Sequence, residues 1–230
     1  MRQSHRRRTP DTPSSRAGTR RSLRAGEQET TPSCKHPIFL DLRDCPAVVI
    51  GGGGVAERRI EALIEAGARV TVVSPDLTAR IRRWAEAGRV RLEERAYQAG
   101  DLRGARVAYV AIGDPEANRA AREEADAEGV WLNIADEPAL CDFLTPAVVR
   151  RGRLTVAIST DGISPALAGR LRERLQRELG PQYADVLEKL ADLRARCRAE
   201  RRPLSAVRGE IERLIDQVLP SSTPTGSSSR

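Results

Sequence analysis

The stretch AVVIGGGGVAERR, residues 47 to 59, constrains this 230-residue chain more than any other. Four apolar residues of the kind that run through a buried strand meet four glycines and then a helical pattern. Gly51, Gly53 and Ala56 fit the spacing G-x-G-x-x-A. At such a junction the first glycine makes the tight turn, and the second lets a pyrophosphate approach the backbone. The small third residue lets the helix close on the sheet, and the helix N-terminus offers free amides to phosphate. Gly51, Gly52 and Gly53 are therefore a candidate dinucleotide cradle. The competing reading is a turn that needs glycine geometry alone.

The pattern that follows alternates strand and helix. VAERRIEALIEA (55 to 66) is helical, with Val55, Ile60, Leu63 and Ile64 as its expected apolar face. Gly67 closes it, and RVTVVS (69 to 74) is a strand of the near-continuous apolar, parallel kind. A helix over 77–87, an edge-like strand at 90–96, a central strand at 106–112, a helix around 116–128 and a strand at 130–135 complete the series. The order β-α-β-α-β-β-α-β specifies an α/β fold, a Rossmann-type parallel sheet in three layers.

Beyond Asp136 the pattern changes. TPAVVRRGRLTVAISTD, from Thr145, reads as an approach segment and one strand at 153–159, and Ser164-Pro165 as the cap and first position of a helix. A lone strand leaves its edges unsatisfied, so pairing across a homodimer is the economical expectation. A helix-rich stretch over 181–218 is interrupted at Arg201, Arg202 and Pro203. The expected organisation is a leader 1–35, a dinucleotide-binding domain 36–145, a small dimerisation and substrate region 146–180, a helical domain 181–218 and a tail 219–230.

Charge adds one exclusion. The formal net charge is +7, but residues 1–35 hold nine Arg or Lys against three acids, a net of +6. The basicity belongs to a leader too polar to build a core, read here as disordered, so it does not mark the folded body as a nucleic-acid binder. No apolar run reaches membrane-spanning length. Cys34, Cys45, Cys141 and Cys197 show no CxxC spacing, and the two histidines are His5 and His36. A disulfide scaffold, a metal cluster and a His-dependent mechanism all lack material, and the chain reads as a reduced, cytoplasmic protein.

Ligands of an open parallel sheet lie beyond the carboxyl ends of its strands. Gly113 and Asp114 follow one strand there, and Asn133 and Asp136 surround the end of the next. A carboxylate at Asp136 can face the reacting end of the crevice as a general base, or it can cap a turn. Asp76, just past the second strand, could reach a ribose hydroxyl. Ser159, Thr160, Asp161 and Gly162, leading into Ser164, form a polar turn whose hydroxyls and amides could hold a carboxylate. Arg150, Arg151, Arg153, Arg170 and Arg172 lie close in sequence. Singly they read as solvated surface; as a set they suit a polyanionic small molecule.

HPIFLDLRDCPAVVIGGGGVAERRIEALIEAGARVTVVSPDL together with NIADEPALCDFLTPAVVRRGRLTVAISTDGISPALAGRLRERL resembles the precorrin-2 dehydrogenase / sirohydrochlorin ferrochelatase family, the front half of siroheme synthase. The combination of GGG-x-VA-x-R, N-x-x-D and S-x-x-G-x-SP carries the resemblance, which is dense over residues 36–180. It implies a homodimer that uses NAD to oxidise precorrin-2 to sirohydrochlorin, and in some members inserts ferrous iron to give siroheme. It implies the catalytic aspartate at Asp136 with Asn133 beside it, dinucleotide contacts at Gly54, Val55, Pro75 and Asp76, and a phosphorylatable position at Thr160. Gly54 departs from the acidic or polar residue common there, and Arg59 from the common lysine. The uroporphyrinogen methyltransferase of the larger fusion is expected as a separate upstream protein. A nucleotide-sensing regulatory domain is the rival from another class. It shares the glycine turn but has no use for Asn133, Asp136 and the 159–165 turn together.

Overall fold

The structure, a computed structural model, describes residues 35–220. The disordered readings of the leader, up to residue 34, and of the tail from residue 221 lie outside the described residues.

Strand β1 (Pro46–Ile50) leads into helix α1 (Gly54–Glu65), strand β2 (Arg69–Val73), helix α2 (Ala79–Glu86) and strand β3 (Val90–Glu93). Strand β4 (Val107–Val110), helix α3 (Pro115–Glu128) and strand β5 (Trp131–Ile134) follow. The five strands form one parallel sheet in the order β3-β2-β1-β4-β5. The chain therefore reverses direction across the sheet between β1 and β4, the point at which α/β sheets open a ligand crevice.

The pleat sorts β1 onto two cores. Val48 and Ile50 join Val110, Leu132 and the Ala121/Ala125 face of α3. Ala47 and Val49 join Val72, Ile81 and the inner face of α1. Sheets covered on both faces need such unbroken apolar strands. On α1 the inner face is Ala56, Ile60 and Leu63, spaced by four and three. Val55, expected on that face, is instead exposed, because Ala56 is the residue that meets the sheet in the first turn. Helix α1 ends in a Schellman motif: Gly67, at φ 75°, donates to the Ile64 carbonyl and Ala68 to that of Leu63.

The second region corrects one expectation. Residues 147–151 are not an approach segment but strand β6 (Ala147–Arg151), antiparallel to strand β7 (Leu154–Ile158). Gly152, at φ 54°, takes the first central position of their two-residue turn, where a hairpin's twist demands positive φ. Partnering of the strand is thus met within the chain, and the inference from an orphan strand to a dimer falls away. Helix α4 (Pro165–Glu178) packs on this hairpin. Arg151 ties the two by donating to the Gln176 carbonyl at 2.6 Å and the Leu179 carbonyl at 2.7 Å. Helices α5 (Gln182–Ala199) and α6 (Arg208–Asp216) then close a small core around Leu193, Cys197 and Val207. The break expected at 201–203 lies between them.

Candidate functional site

The glycines at the β1–α1 junction divide by cause. Gly51 lies at φ 115°, and a Cβ there would come within 2.6 Å of the Ala111 carbonyl oxygen. A Cβ on Gly52 would run into the Asp76 carbonyl. Gly53 and Gly54, in contrast, have nothing within 4 Å of where a Cβ would stand. The space above them is open, and Gly53, the N-cap of α1, has no side chain with which to cap the helix. Helices α2, α3 and α4 are capped by Thr78, Asp114 and Ser164. The leading amides of α1 thus face open space beside exposed Val55, at the crevice between β1 and β4. Unspent amides at a helix start favour an anion. Asp76 and Pro75 are exposed just beyond β2, and among the described residues the Asp76 side chain makes no hydrogen bond or ion pair. Gly113 is exposed after β4, whereas the Asp114 carboxylate is spent capping α3, accepting from the Glu116 and Ala117 amides.

Asp136 stands at the end of β5 in the left-handed region, at φ 63°, a conformation aspartate tolerates better than most residues. It is exposed and, among the described residues, makes no hydrogen bond or ion pair. Its turn is held from beneath. The Cys141 sulfur accepts from the Ile134 amide at 3.1 Å, and the thiol lies 3.2 Å from the Ile134 carbonyl and 3.3 Å from that of Glu137. Asn118 on α3, itself buried, donates to the Glu137 carboxylate at 2.6 Å. Burial, foremost, holds the Cys141 thiol above its ordinary pKa, so it remains protonated and able to donate.

Asp136 lines a cavity of about 430 Å³ together with Asn133, Ser159, Thr160 and Arg59. The tip of the 159–165 turn reaches across to the Asp136 turn, with a Cβ on Gly162 falling 3.9 Å from the Pro138 ring. The fold therefore gathers residues separated by more than twenty positions into one place. The polar groups of that turn are largely spent on shaping it. The Thr160 hydroxyl donates to the Ser164 carbonyl at 3.0 Å and accepts from its amide at 3.2 Å. Ser159 accepts from the Asp161 amide, and Ser164 caps α4 by accepting from Leu167. Asn133 is buried, and its amide donates to the Phe143 carbonyl at 2.9 Å.

The five arginines named from their sequence proximity are not at the cavity wall. Arg150 pairs with Glu65 and Arg151 holds the end of α4. Arg153, Arg170 and Arg172 lie outside the lining as well. The arginine that lines the cavity is Arg59, from α1, which reading by proximity missed. Its sequence signals are its place one turn past the glycines on the helix that borders the crevice and its standing where the resembled family commonly has lysine. Cys141 was missed too, because cysteine was weighed by spacing rather than by the edge strand it serves.

A model described as putative NAD(P)-binding matches residues 38–147, and one described as sirohaem biosynthesis protein central matches 151–178. The siroheme synthase of Methylococcus capsulatus is 40% identical over 70% of this chain, and that of Methylobacillus flagellatus 39% identical over 69%. The match takes in 34% of either relative, so the chain spans about a third of their length. A solved structure titled SirC, precorrin-2 dehydrogenase, superposes with a TM-score of 0.70 at 30% identity, covering 82% of this chain and 94% of that one.

Proposed function

Since the chain belongs to the precorrin-2 dehydrogenase family, the NAD-binding half of siroheme synthase, we propose that it oxidises precorrin-2 to sirohydrochlorin with NAD, and that Asp136 is the general base. The observation that carries this reading is the convergence of the free Asp136 carboxylate, Asn133 and the 159–165 turn on one cavity beyond the sheet's carboxyl edge.

The residues at the β1–α1 junction fit a dinucleotide. Open space over Gly53 and Gly54, with uncapped amides at the start of α1, suits a pyrophosphate. Val55 would flank it, with Gly51 and Gly52 shaping the turn beneath. Exposed, unpaired Asp76, with Pro75 beside it, is the acid available to ribose hydroxyls, which favours NAD over its 2′-phosphorylated form. Gly113 leaves the crevice open on the β4 side. When bound, the oxidised nicotinamide supplies the two-electron acceptor for the carbon–hydrogen bond that breaks. Asp136 takes the proton released as the new double bond forms. Asn133 and the Cys141 contacts hold the turn that carries it. The Ser159–Ser164 turn forms the opposite wall, its hydroxyls at Ser159 and Thr160 bordering the substrate.

Ferrous iron, in the proposed second activity, is a substrate. Its insertion into sirohydrochlorin releases pyrrole N–H protons, and Asp136 is the acceptor at hand. Among the described residues no cluster of three His, Cys, Asp or Glu is positioned to hold a metal ion, and no helix is long and apolar enough to cross a membrane. A homodimer and a cytoplasmic location complete the proposal.

Asp136→Asn tests it. The substitution keeps the side chain's size and removes its basicity, so NAD binding should persist while dehydrogenation, followed by the porphyrinoid spectrum, falls roughly 10²-fold or more. Near-normal turnover by the folded variant would remove Asp136 from the mechanism. A nucleotide sensor without activity would bind NAD equally in both forms and oxidise nothing in either.

A further inference from the structure

Arg59 is a cation in an unusual position. It projects from α1 into the cavity wall and is largely withdrawn from water, so that burial, foremost, lowers its pKa from the ordinary arginine value. Yet among the described residues it finds no hydrogen bond and no ion pair. Its contact within the protein is the face of Tyr109, with the guanidinium carbon 5.6 Å from the ring centroid. Burial also raises the Tyr109 pKa, so the ring beneath the cation is a neutral phenol. A cation–π contact of this kind orients a guanidinium but does not neutralise it. The Asp136 carboxylate interacts with it favourably through space but does not bond to it. Five donors of a planar fork are thus held at the cavity with no acceptor among the described residues. That arrangement matches a carboxylate in geometry and in charge, and a partly desolvated cation gains most from an anion that arrives with a ligand.

We propose that Arg59 receives a peripheral carboxylate of the tetrapyrrole and so sets which edge of the ring faces Asp136. The inference rests on the functional reading above and adds a specificity-determining residue to it. It also relocates substrate recognition. The anchor lies on the helix that follows the glycine turn, not on the arginine-rich hairpin, so one short element would serve both the dinucleotide and the macrocycle.

Equilibrium binding on the full-length protein tests this, with sirohydrochlorin as the polycarboxylate probe and NAD titrated separately. Arg59→Met, which keeps the length of the stem, should weaken sirohydrochlorin binding about 10-fold or more, since a charge-assisted contact is lost. Arg59→Lys keeps the charge without the fork and should recover part of that loss. NAD affinity should stay within a few-fold in both, which also shows that the variants are folded. Unchanged sirohydrochlorin affinity in Arg59→Met overturns the inference while leaving the dehydrogenase reading intact. Loss of NAD binding with sirohydrochlorin retained overturns it as well, assigning Arg59 to the dinucleotide. An unchanged affinity accompanied by a displaced pH profile of dehydrogenation overturns it in favour of a role toward Asp136 alone. Wild-type protein that neither binds sirohydrochlorin nor oxidises precorrin-2 would remove both readings together.

Discussion

Gly51, Gly52 and Gly53 are neighbours, yet each is glycine for a different reason. Gly51 is required by its positive φ, and Gly52 by the Asp76 carbonyl and the Ser74 and Leu77 side chains pressed against it. Gly53 is required by nothing in the protein, because the space beyond it is open and its φ of −83° suits any residue. A valine there should therefore fold. The expected cost is a fraction of the ~1 kcal/mol that separates good from poor N-caps. Two branched methyls would nevertheless occupy the approach to the α1 amides. Gly53→Val is expected to abolish NAD binding by calorimetric titration with the thermal transition nearly unmoved, whereas unchanged NAD affinity would sink the cradle assignment. Gly52→Ala should do the opposite kind of damage and lower the thermal stability itself.

At the scale of elements, the informative one is β5. Among the described residues it is an edge strand, with β4 on one side and no strand on the other. Exposed edge groups are a hazard that folds cover in some way. Here the cover is the returning segment after the short 3₁₀ turn at Pro138–Leu140. The Asp142 carboxylate accepts from the Leu132 amide at 2.9 Å, and the Asp142 amide donates to the Leu132 carbonyl. One step along, the Cys141 sulfur meets both the amide and the carbonyl of Ile134. The strand's outer groups are thereby satisfied, and the intervening turn, with Asp136 at its corner, is held at both ends. Cys141→Ala would leave the buried Ile134 amide without its acceptor, a loss of about 1–3 kcal/mol. Thermal denaturation should show a fall of several degrees, and kcat should drop more than NAD affinity, because the turn carrying Asp136 loosens while the glycine cradle does not. Equal losses in both would indicate a general structural role for the sulfur.

At the scale of the molecule, the question is what covers helix α4. Ile163, Leu167 and Leu171 recur every four positions and stay exposed at 87%, 51% and 38%. Leu167 and Leu171 lie along one side of α4, and Ile163, in the turn just before the helix, extends the apolar patch. The stripe is the present argument for the proposed homodimer, replacing the orphan-strand argument that the β6–β7 hairpin removed. Leu167→Glu should shift the mass measured by light scattering from twice the chain toward one. A wild-type monomer, or a variant that stays dimeric, would send the search for the interface elsewhere.

Much of this could be read along the chain. Strand pattern, glycine spacing and helix caps are local properties, set by side-chain shape and backbone sterics within a few residues. So the parallel sheet, the positions of Gly51 to Gly54, and Ser164 as a helix start were accessible without coordinates, whereas Asp114, read as a polar residue of the crevice, caps α3. Pairing and convergence are not local. That residues 147–151 form a strand depends on the partner that 154–158 supplies, since the segment's own alternation is weak. That Arg59 faces Asp136's cavity, while Arg150 and Arg151 turn away to Glu65 and to the end of α4, depends on how α1 and the hairpin pack. Arginines of one charge are equivalent to a sequence; only tertiary structure turns Arg150 to Glu65 and Arg151 to the end of α4 while it sets Arg59 at the cavity.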